Sequence, residues 1–124
     1  MITIYHNPRC SKSRECLLIL EETVANPETA AALKNAHIET VKYIDSPLDF
    51  DTLSSIIKKL GITPLELVRK NEAIWKENYK GKTLSDKEIL TAMIEHPKLM
   101  ERPIVVNGDK AIIGRPPSRV LEIL

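Results

Sequence analysis

One cysteine near the start of the chain has the surroundings of a reactive thiol. Cys10 lies in the segment 6–14, His-Asn-Pro-Arg-Cys-Ser-Lys-Ser-Arg, where a β-prone run gives way to helix-favouring residues. The first backbone N–H groups of a helix and the positive end of its dipole stabilise an anion, whether a thiolate or a bound oxyanion. Basic residues at positions 9, 12 and 14 add positive charge, and Arg14 shares a helix face with Cys10. Cysteines in such places have pKa values of roughly 3.5–7.5, so we predict a nucleophile rather than a small buried hydrophobe.

The second cysteine has the opposite character. Cys16 opens the apolar run 16–20, Cys-Leu-Leu-Ile-Leu. Six residues of helix separate it from Cys10 by about 9 Å, beyond the roughly 7 Å between Cα atoms that a disulfide spans. We therefore predict that Cys16 packs in the core. Position 13 is a serine, so the chain lacks a CxxC motif, and an oxidised Cys10 would need an external thiol, which points to glutathione or a glutaredoxin as co-substrate.

The elements that position these residues are predicted in the order strand, helix, strand, several helices, hairpin, helix. Capping boxes at 63–66 and 85–88 mark two helix starts, and Asn-Gly at 107–108 predicts a hairpin turn. The predicted strands span 2–5, 38–44, 103–106 and 110–113, and the predicted helices span 10–22, 51–60, 63–70, 85–96 and 118–124. The stretch 24–36 contains an Ala-rich piece that either extends the first helix or forms a helical insertion. Among the α/β arrangements compatible with this order, we expect a thioredoxin-like (glutaredoxin-like) fold, a mixed β-sheet flanked by helices.

Composition and charge narrow the class of protein. The chain has 124 residues, with 18 basic residues against 17 acidic ones, so nothing favours a nucleic-acid or anionic-membrane partner. We find no apolar run of membrane-spanning length and no signal peptide, and we expect a cytoplasmic protein. Cysteines and histidines are too few and too scattered for a zinc site. We predict one domain over residues 1–124.

Three arginines lie in unusual local contexts. Arg69 ends a predicted helix, Arg102 precedes a proline and a strand, and Arg115 precedes two prolines. Each one alone is typical of a solvated cation, which at a helix end complements the dipole. Their spacing in sequence does not establish that they converge.

Four blocks of the sequence, in order and over nearly the whole chain, resemble the ArsC family of glutaredoxin-dependent arsenate reductases. They are Ile-Thr-Ile-Tyr-His-Asn-Pro-x-Cys with Ser-Arg at 13–14, Leu-Val-Arg-Lys-Asn at 67–71, Arg-Pro-Ile-Val-Val at 102–106, and Arg-Pro at 115–116 with Val-Leu-Glu-Ile-Leu at 120–124. The resemblance implies that Cys10 is the catalytic cysteine and that an oxyanion is held by the arginines Arg69, Arg102 and Arg115. It also implies a set of supporting residues near the cysteine: His6, Ser13, Arg14 and the cis-proline Pro103.

The same resemblance implies a reaction and its partners. These are reduction of arsenate or a similar oxyanion, glutathione as co-substrate and glutaredoxin as protein partner, with no metal and no tightly bound cofactor. Ser-Lys at 11–12 replaces the Gly-Thr of the best-studied arsenate-reducing members, and the stretch 24–36 is longer than usual. One alternative is a glutathione-linked thiol oxidoreductase of another substrate. Another is a regulatory protein resembling the Spx proteins, which bind RNA polymerase and commonly carry the CxxC that is absent here.

Overall fold

The computed structural model describes residues 2–26 and 37–124. Its contacts form two units, one of Met1–Lys42 with Arg102–Leu124 and the other of Tyr43–Glu101. No helix within the described residues is long and apolar enough to cross a membrane. The prediction of a single domain stays a prediction.

The first unit is built on a four-stranded mixed sheet. Its strands are β1 (Ile2–Tyr5), β2 (Ile38–Val41), β3 (Ile104–Asn107) and β4 (Lys110–Ile113), in the order β2-β1-β3-β4. Strand β1 is parallel to β2 and antiparallel to β3, and β4 is antiparallel to β3. The helix α1 (Ser11–Ala25) connects β1 to the segment before β2. The mixed sheet confirms the predicted arrangement of strands.

The hairpin forms where the Asn-Gly pair predicts it. Asn107 pairs with Lys110, which leaves Gly108 and Asp109 as the two loop residues. Gly108 has φ +62°, a left-handed conformation that glycine adopts without a steric penalty. The Asn107 side chain also donates to the carbonyl of Ile123 at 2.7 Å, so the end of β3 holds the last residues of the chain.

The core of the first unit lies between the sheet, α1 and a closing 3-10 helix at Pro117–Ile123. Alternate residues of the strands face this core, and α1 contributes its buried side. The buried cluster consists of Ile2, Ile4, Cys16, Leu20, Val105, Ile112, Val120 and Ile123. The core position predicted for Cys16 is confirmed.

Several predicted boundaries in this unit are wrong, for local reasons. Strand β2 ends at Val41 and not at residue 44. The last backbone hydrogen bond between this strand and the segment of β1 runs from His6 N to the Val41 carbonyl at 2.8 Å. Helix α1 continues to Ala25, and the following Asn-Pro pair at 26–27 disfavours further helix. The closing helix, which starts at Pro117, is 3-10 rather than α: Arg119 N donates to the Pro116 carbonyl three residues back at 3.0 Å, the bonding pattern of a 3-10 helix. Of the stretch 24–36, residues 27–36 lie outside the described residues.

The second unit is helical. It contains α2 (Phe50–Leu60), α3 (Ala73–Asn78), α4 (Asp86–Glu95) and 3-10 turns at Pro64–Leu67 and Pro97–Leu99. Asp49 is the N-cap residue of α2, and its carboxylate accepts from Thr52 N at 2.7 Å. The predicted capping box at the start of α4 is confirmed, because Ser85 and Glu88 each accept a hydrogen bond from the other's backbone N–H.

The prediction of a helix over 63–70 is wrong. Only a 3-10 turn forms at Pro64–Leu67, and Thr63 makes no side-chain cap. The chain then runs extended, because its backbone groups bond to a neighbouring segment: Arg69 N donates to Leu99 O at 2.6 Å and Glu101 N to Leu67 O at 2.8 Å. This isolated bridge, centred on Val68 and Met100, prevents further helix.

Candidate active site around Cys10

Cys10 is the N-cap residue of α1. Its backbone is extended, with φ −96° and ψ 122°, and its N–H donates to the Asn7 carbonyl at 3.0 Å, which closes a four-residue turn. The Asn7 side chain also accepts from Arg9 N at 3.0 Å, an Asx interaction that Asn-Pro sequences favour. Sequence reasoning did not single out Asn7, although this signal was present. Cys10 is 9% exposed, and its sulfur lies beside the Lys12 and Ser13 N–H groups of the first turn of the helix.

Two side chains of α1 reach back to this turn. The hydroxyl oxygen of Ser13 accepts from Asn7 N at 3.1 Å. The guanidinium of Arg14 donates through Nη1 to the Pro8 carbonyl at 2.8 Å. The turn before Cys10 and the helix after it are therefore joined by side chains as well as by the backbone.

His6 and Ser13 form a buried pair beneath the turn. His6 Nδ1 lies 2.6 Å from Ser13 Oγ, and the residues are 5% and 0% exposed. Burial lowers the pKa of His6, and the charges of Lys42 and Arg14 lower it further. The imidazole is therefore neutral at neutral pH, since its ordinary pKa is already about 6.5.

Two of the predicted arginines meet at the sulfur. Arg115 donates through Nε to the Arg102 carbonyl at 2.7 Å, and its Nη2 lies 3.9 Å from Cys10 Sγ. Both residues precede cis prolines, Pro103 and Pro116. The first unit thus brings Arg102 and Arg115 together with the cysteine, which the sequence spacing alone did not establish.

The electrostatics of the site favour the thiolate. Burial by itself raises the pKa of Cys10, but the Ser13 N–H, the hydrogen bond and charge of the Arg102 side chain, and the Lys12 N–H outweigh it. The pKa of Cys10 is therefore below its ordinary value. Backbone donors of a first helical turn and a guanidinium are the groups expected to stabilise a thiolate.

Cys16 offers a contrast on the same helix. Both cysteines are free thiols, but Cys16 is completely buried and burial raises its pKa to about 11. Its sulfur packs so closely that a Cβ placed on Gly114 would lie 2.9 Å from it. Cys16 is a packing residue.

Arg69 lies in the second unit. Its guanidinium forms an ion pair with Glu72, with 2.7 Å between Nη1 and Oε1, and its backbone joins the bridge to Leu99. Sequence reasoning missed Glu72, although its i,i+3 spacing from an arginine is a recognised pairing signal. The oxyanion role of Arg69 stays a prediction.

We also looked for side chains that could bind a metal ion. Within 2–26 and 37–124, no group of three or more His, Cys, Asp or Glu side chains is placed to hold a metal ion.

The site falls within a stretch that matches a known family. The model of the ArsC family matches residues 5–123. The chain belongs to the ArsC family. Because the match includes the greater part of each of the four sequence blocks, the predicted resemblance is confirmed.

Two relatives and one solved structure match this chain over nearly its whole length and their own. The uncharacterized protein YfgD of Escherichia coli is 46% identical over 99% of this chain and 96% of its own. A Haemophilus influenzae protein named arsenate reductase is 45% identical over 99% of this chain and 98% of its own. The solved structure of an arsenate reductase from Vibrio cholerae is 40% identical, with a TM-score of 0.85 over 99% of this chain and 97% of its own. These similarities confirm the predicted thioredoxin-like fold.

Proposed function

We propose that this protein is an arsenate reductase whose nucleophile is the Cys10 thiolate. The observation that carries the proposal is the sulfur at the start of α1 with the Arg115 guanidinium 3.9 Å away and Arg102 beside it. Related proteins that bear the name arsenate reductase, at 38–45% identity, support the assignment.

The cationic groups around the sulfur suit a tetrahedral oxyanion. Guanidinium groups match such anions through paired hydrogen bonds and stay charged at any relevant pH. Arg102 and Arg115 would also offset the repulsion between a thiolate and an anionic substrate. We assign the third binding position to Arg69 from the family motif, with Glu72 holding its guanidinium in one orientation.

In the first proposed step, Cys10 Sγ attacks arsenic. A sulfur–arsenic bond forms, an arsenic–oxygen bond breaks, and the departing oxygen leaves as water after protonation. This is covalent catalysis, which divides one difficult step into easier ones. The Ser13 N–H and the Arg102 side chain hold the attacking sulfur in its anionic form before the step.

The reducing steps require thiols from outside the chain. The only other cysteine, Cys16, is completely buried in the core. In the second step a glutathione thiolate attacks Cys10 Sγ, a disulfide forms, and the electron pair of the sulfur–arsenic bond passes to arsenic, so that arsenite leaves. A glutaredoxin with a second glutathione then reduces the mixed disulfide. A cytoplasmic location fits this proposal, because thiols are kept reduced there.

The test is arsenite formation from arsenate with glutathione and glutaredoxin. We expect turnover by the wild type, loss in Cys10→Ser, and a large loss in Arg102→Ala. Cys16→Ala, which removes the other thiol, is the matched control and retains turnover once its folding has been checked by thermal melting.

Two other results would redirect the assignment. A wild type that forms no arsenite while Cys10 titrates with a lowered pKa would favour a glutathione-linked oxidoreductase of another substrate. Binding to RNA polymerase without any Cys10-dependent reduction would favour a regulatory role. A Cys10 of ordinary pKa together with no turnover would refute the nucleophilic site itself.

A further inference from the structure

The turn that presents Cys10 is attached to α1 by two neighbouring hydrogen bonds. Asn7 N donates to Ser13 Oγ at 3.1 Å, and Arg14 Nη1 donates to the Pro8 carbonyl at 2.8 Å. Asn7 and Pro8 are the first two residues of the turn, while Ser13 and Arg14 belong to the first turn of the helix, so the two bonds follow each other along both segments. We propose that Arg14 is a positioning residue, whose guanidinium clamps the Pro8 carbonyl and so fixes the Cys10 sulfur against the N–H groups of the helix start.

The turn needs this attachment because of its composition. Proline has no N–H, so the carbonyl is the one backbone group through which Pro8 can be held by a hydrogen bond. Residue 14 also donates its backbone N–H to the Cys10 carbonyl at 3.0 Å, the first α-helical bond of α1, so the side-chain bond of Arg14 adds a second link between this residue and the turn. The Cys10 sulfur accepts from the Ser13 and Lys12 N–H groups and from the Arg102 side chain. The geometry of these bonds depends on where the backbone of the turn places Cys10.

A clamp differs from a simple source of positive charge. Arg9 carries the same charge next to Cys10 and is exposed, as Arg14 is, but it contributes to the turn through its backbone N–H and not through its side chain. A substitution of the Arg9 side chain therefore removes an equal charge but leaves the turn's hydrogen bonds in place. The other groups that face the sulfur, Arg102 and Arg115 among them, are unchanged in such a variant.

The proposal rests on the nucleophilic role of Cys10 but not on arsenate as substrate. Its test is therefore alkylation of Cys10 by iodoacetamide, followed by mass spectrometry of the full chain as a function of pH. In Arg14→Met we expect the midpoint of the pH profile to rise by about one pH unit, and the rate at pH values well below the midpoint to fall about tenfold, since one pKa unit is a tenfold change in thiolate fraction there. In Arg9→Met we expect a change of no more than about twofold, because the lost charge is screened by solvent and the backbone bond from residue 9 to Asn7 is kept.

A second variant separates the hydrogen bond from the charge. Arg14→citrulline keeps the length and the N–H donors of arginine but is neutral, and it can be made by ligating a 1–15 peptide to the 16–124 fragment through the natural Cys16. We expect its pH profile to match that of an identically ligated protein with arginine at position 14. An upward shift in the citrulline protein, or equal shifts in Arg14→Met and Arg9→Met, would show that charge alone acts and would overturn the clamp. An unshifted Arg14→Met profile would overturn it as well.

Failure of this proposal is distinguishable from failure of the proposed function. A wild type that alkylates readily at neutral pH but forms no arsenite leaves the clamp testable. A wild type whose Cys10 alkylates with an ordinary thiol profile contradicts both.

Discussion

Arg115 is held by the backbone of Arg102: its Nε donates to the Arg102 carbonyl at 2.7 Å, and this orients its Nη2 toward Cys10 Sγ at 3.9 Å. One arginine thus fixes the other, and the two guanidinium groups have different roles. Arg102 lowers the pKa of Cys10 through a hydrogen bond and its charge, whereas Arg115 lies at the long limit of a hydrogen bond to sulfur.

This difference predicts different defects in the two glutamine variants. In Arg102→Gln the pKa of Cys10 rises, because a charge that stabilised the thiolate is lost, and the alkylation profile moves to higher pH. In Arg115→Gln the profile moves less, while kcat/KM for arsenate falls by about 10²-fold, comparable to the loss of one oxyanion donor in other enzymes. Alkylation and arsenite formation measured on the same samples check both statements. Equal shifts in the two alkylation profiles would contradict this division of roles.

The lowered pKa of His6 leads us to expect that the protein becomes less stable as the pH falls. Its pKa is lowered in the folded protein, so the folded state resists protonation of the imidazole. Stability is therefore full above the ordinary pKa of about 6.5 and decreases as the pH falls through the lower folded value. The expected result is that the free energy of unfolding of the wild type decreases with acidification more than that of His6→Gln. Urea unfolding between pH 7.5 and 4.5 measures the difference, and parallel curves would refute it.

Much of the local structure was predictable because short-range signals decided it. Asn-Gly at 107–108 produced the hairpin, and the Ser85 capping box produced α4. The helix predicted from Thr63 failed because the bridge between Val68 and Met100 is a contact between distant residues, which local propensity does not contain.

The site shows the same division between local and distant information. The lowered pKa of Cys10 was predicted from its neighbours in sequence, and in the structure the Ser13 and Lys12 N–H groups are among the groups that lower it. The meeting of Arg102 and Arg115 at the sulfur could not be predicted from spacing, because it depends on how the segments that precede β3 and follow β4 are paired through the sheet.

The close packing around Gly114 predicts that a larger residue at this position destabilises the protein. A Cβ at this position would lie 2.9 Å from Cys16 Sγ and 3.0 Å from Pro103 Cγ. Both neighbours lie in packed surroundings, so Gly114→Ala is expected to destabilise by about 1–3 kcal/mol, the usual range for overpacking. Thermal melting measures this loss.

The cause of that defect can be tested by a double-mutant cycle. Cys16→Ala removes the nearer of the two obstructing atoms, so Gly114→Ala should cost less in that background. The control is Gly108→Ala, which meets no atom within 4 Å but has φ +62°. Its cost comes from the backbone alone and should be the same with or without Cys16. If Gly114→Ala lowers the free energy of unfolding equally with and without Cys16, the Cys16 sulfur moves aside at no cost and is not the cause of the defect.

The two capping boxes predicted from sequence provide the last prediction, because only one of them forms. Ser85 accepts from Glu88 N at 3.2 Å, while Thr63 makes no side-chain cap. Ser85→Ala should therefore lower the free energy of unfolding by about 1 kcal/mol, the typical cost of a lost N-cap. Thr63→Ala, the matched control, should cost less than about 0.5 kcal/mol, as for a surface substitution without a special role. Urea denaturation of both variants decides the matter: equal losses would mean that Thr63 caps its 3-10 turn in solution and that the sequence signal was correct at both positions.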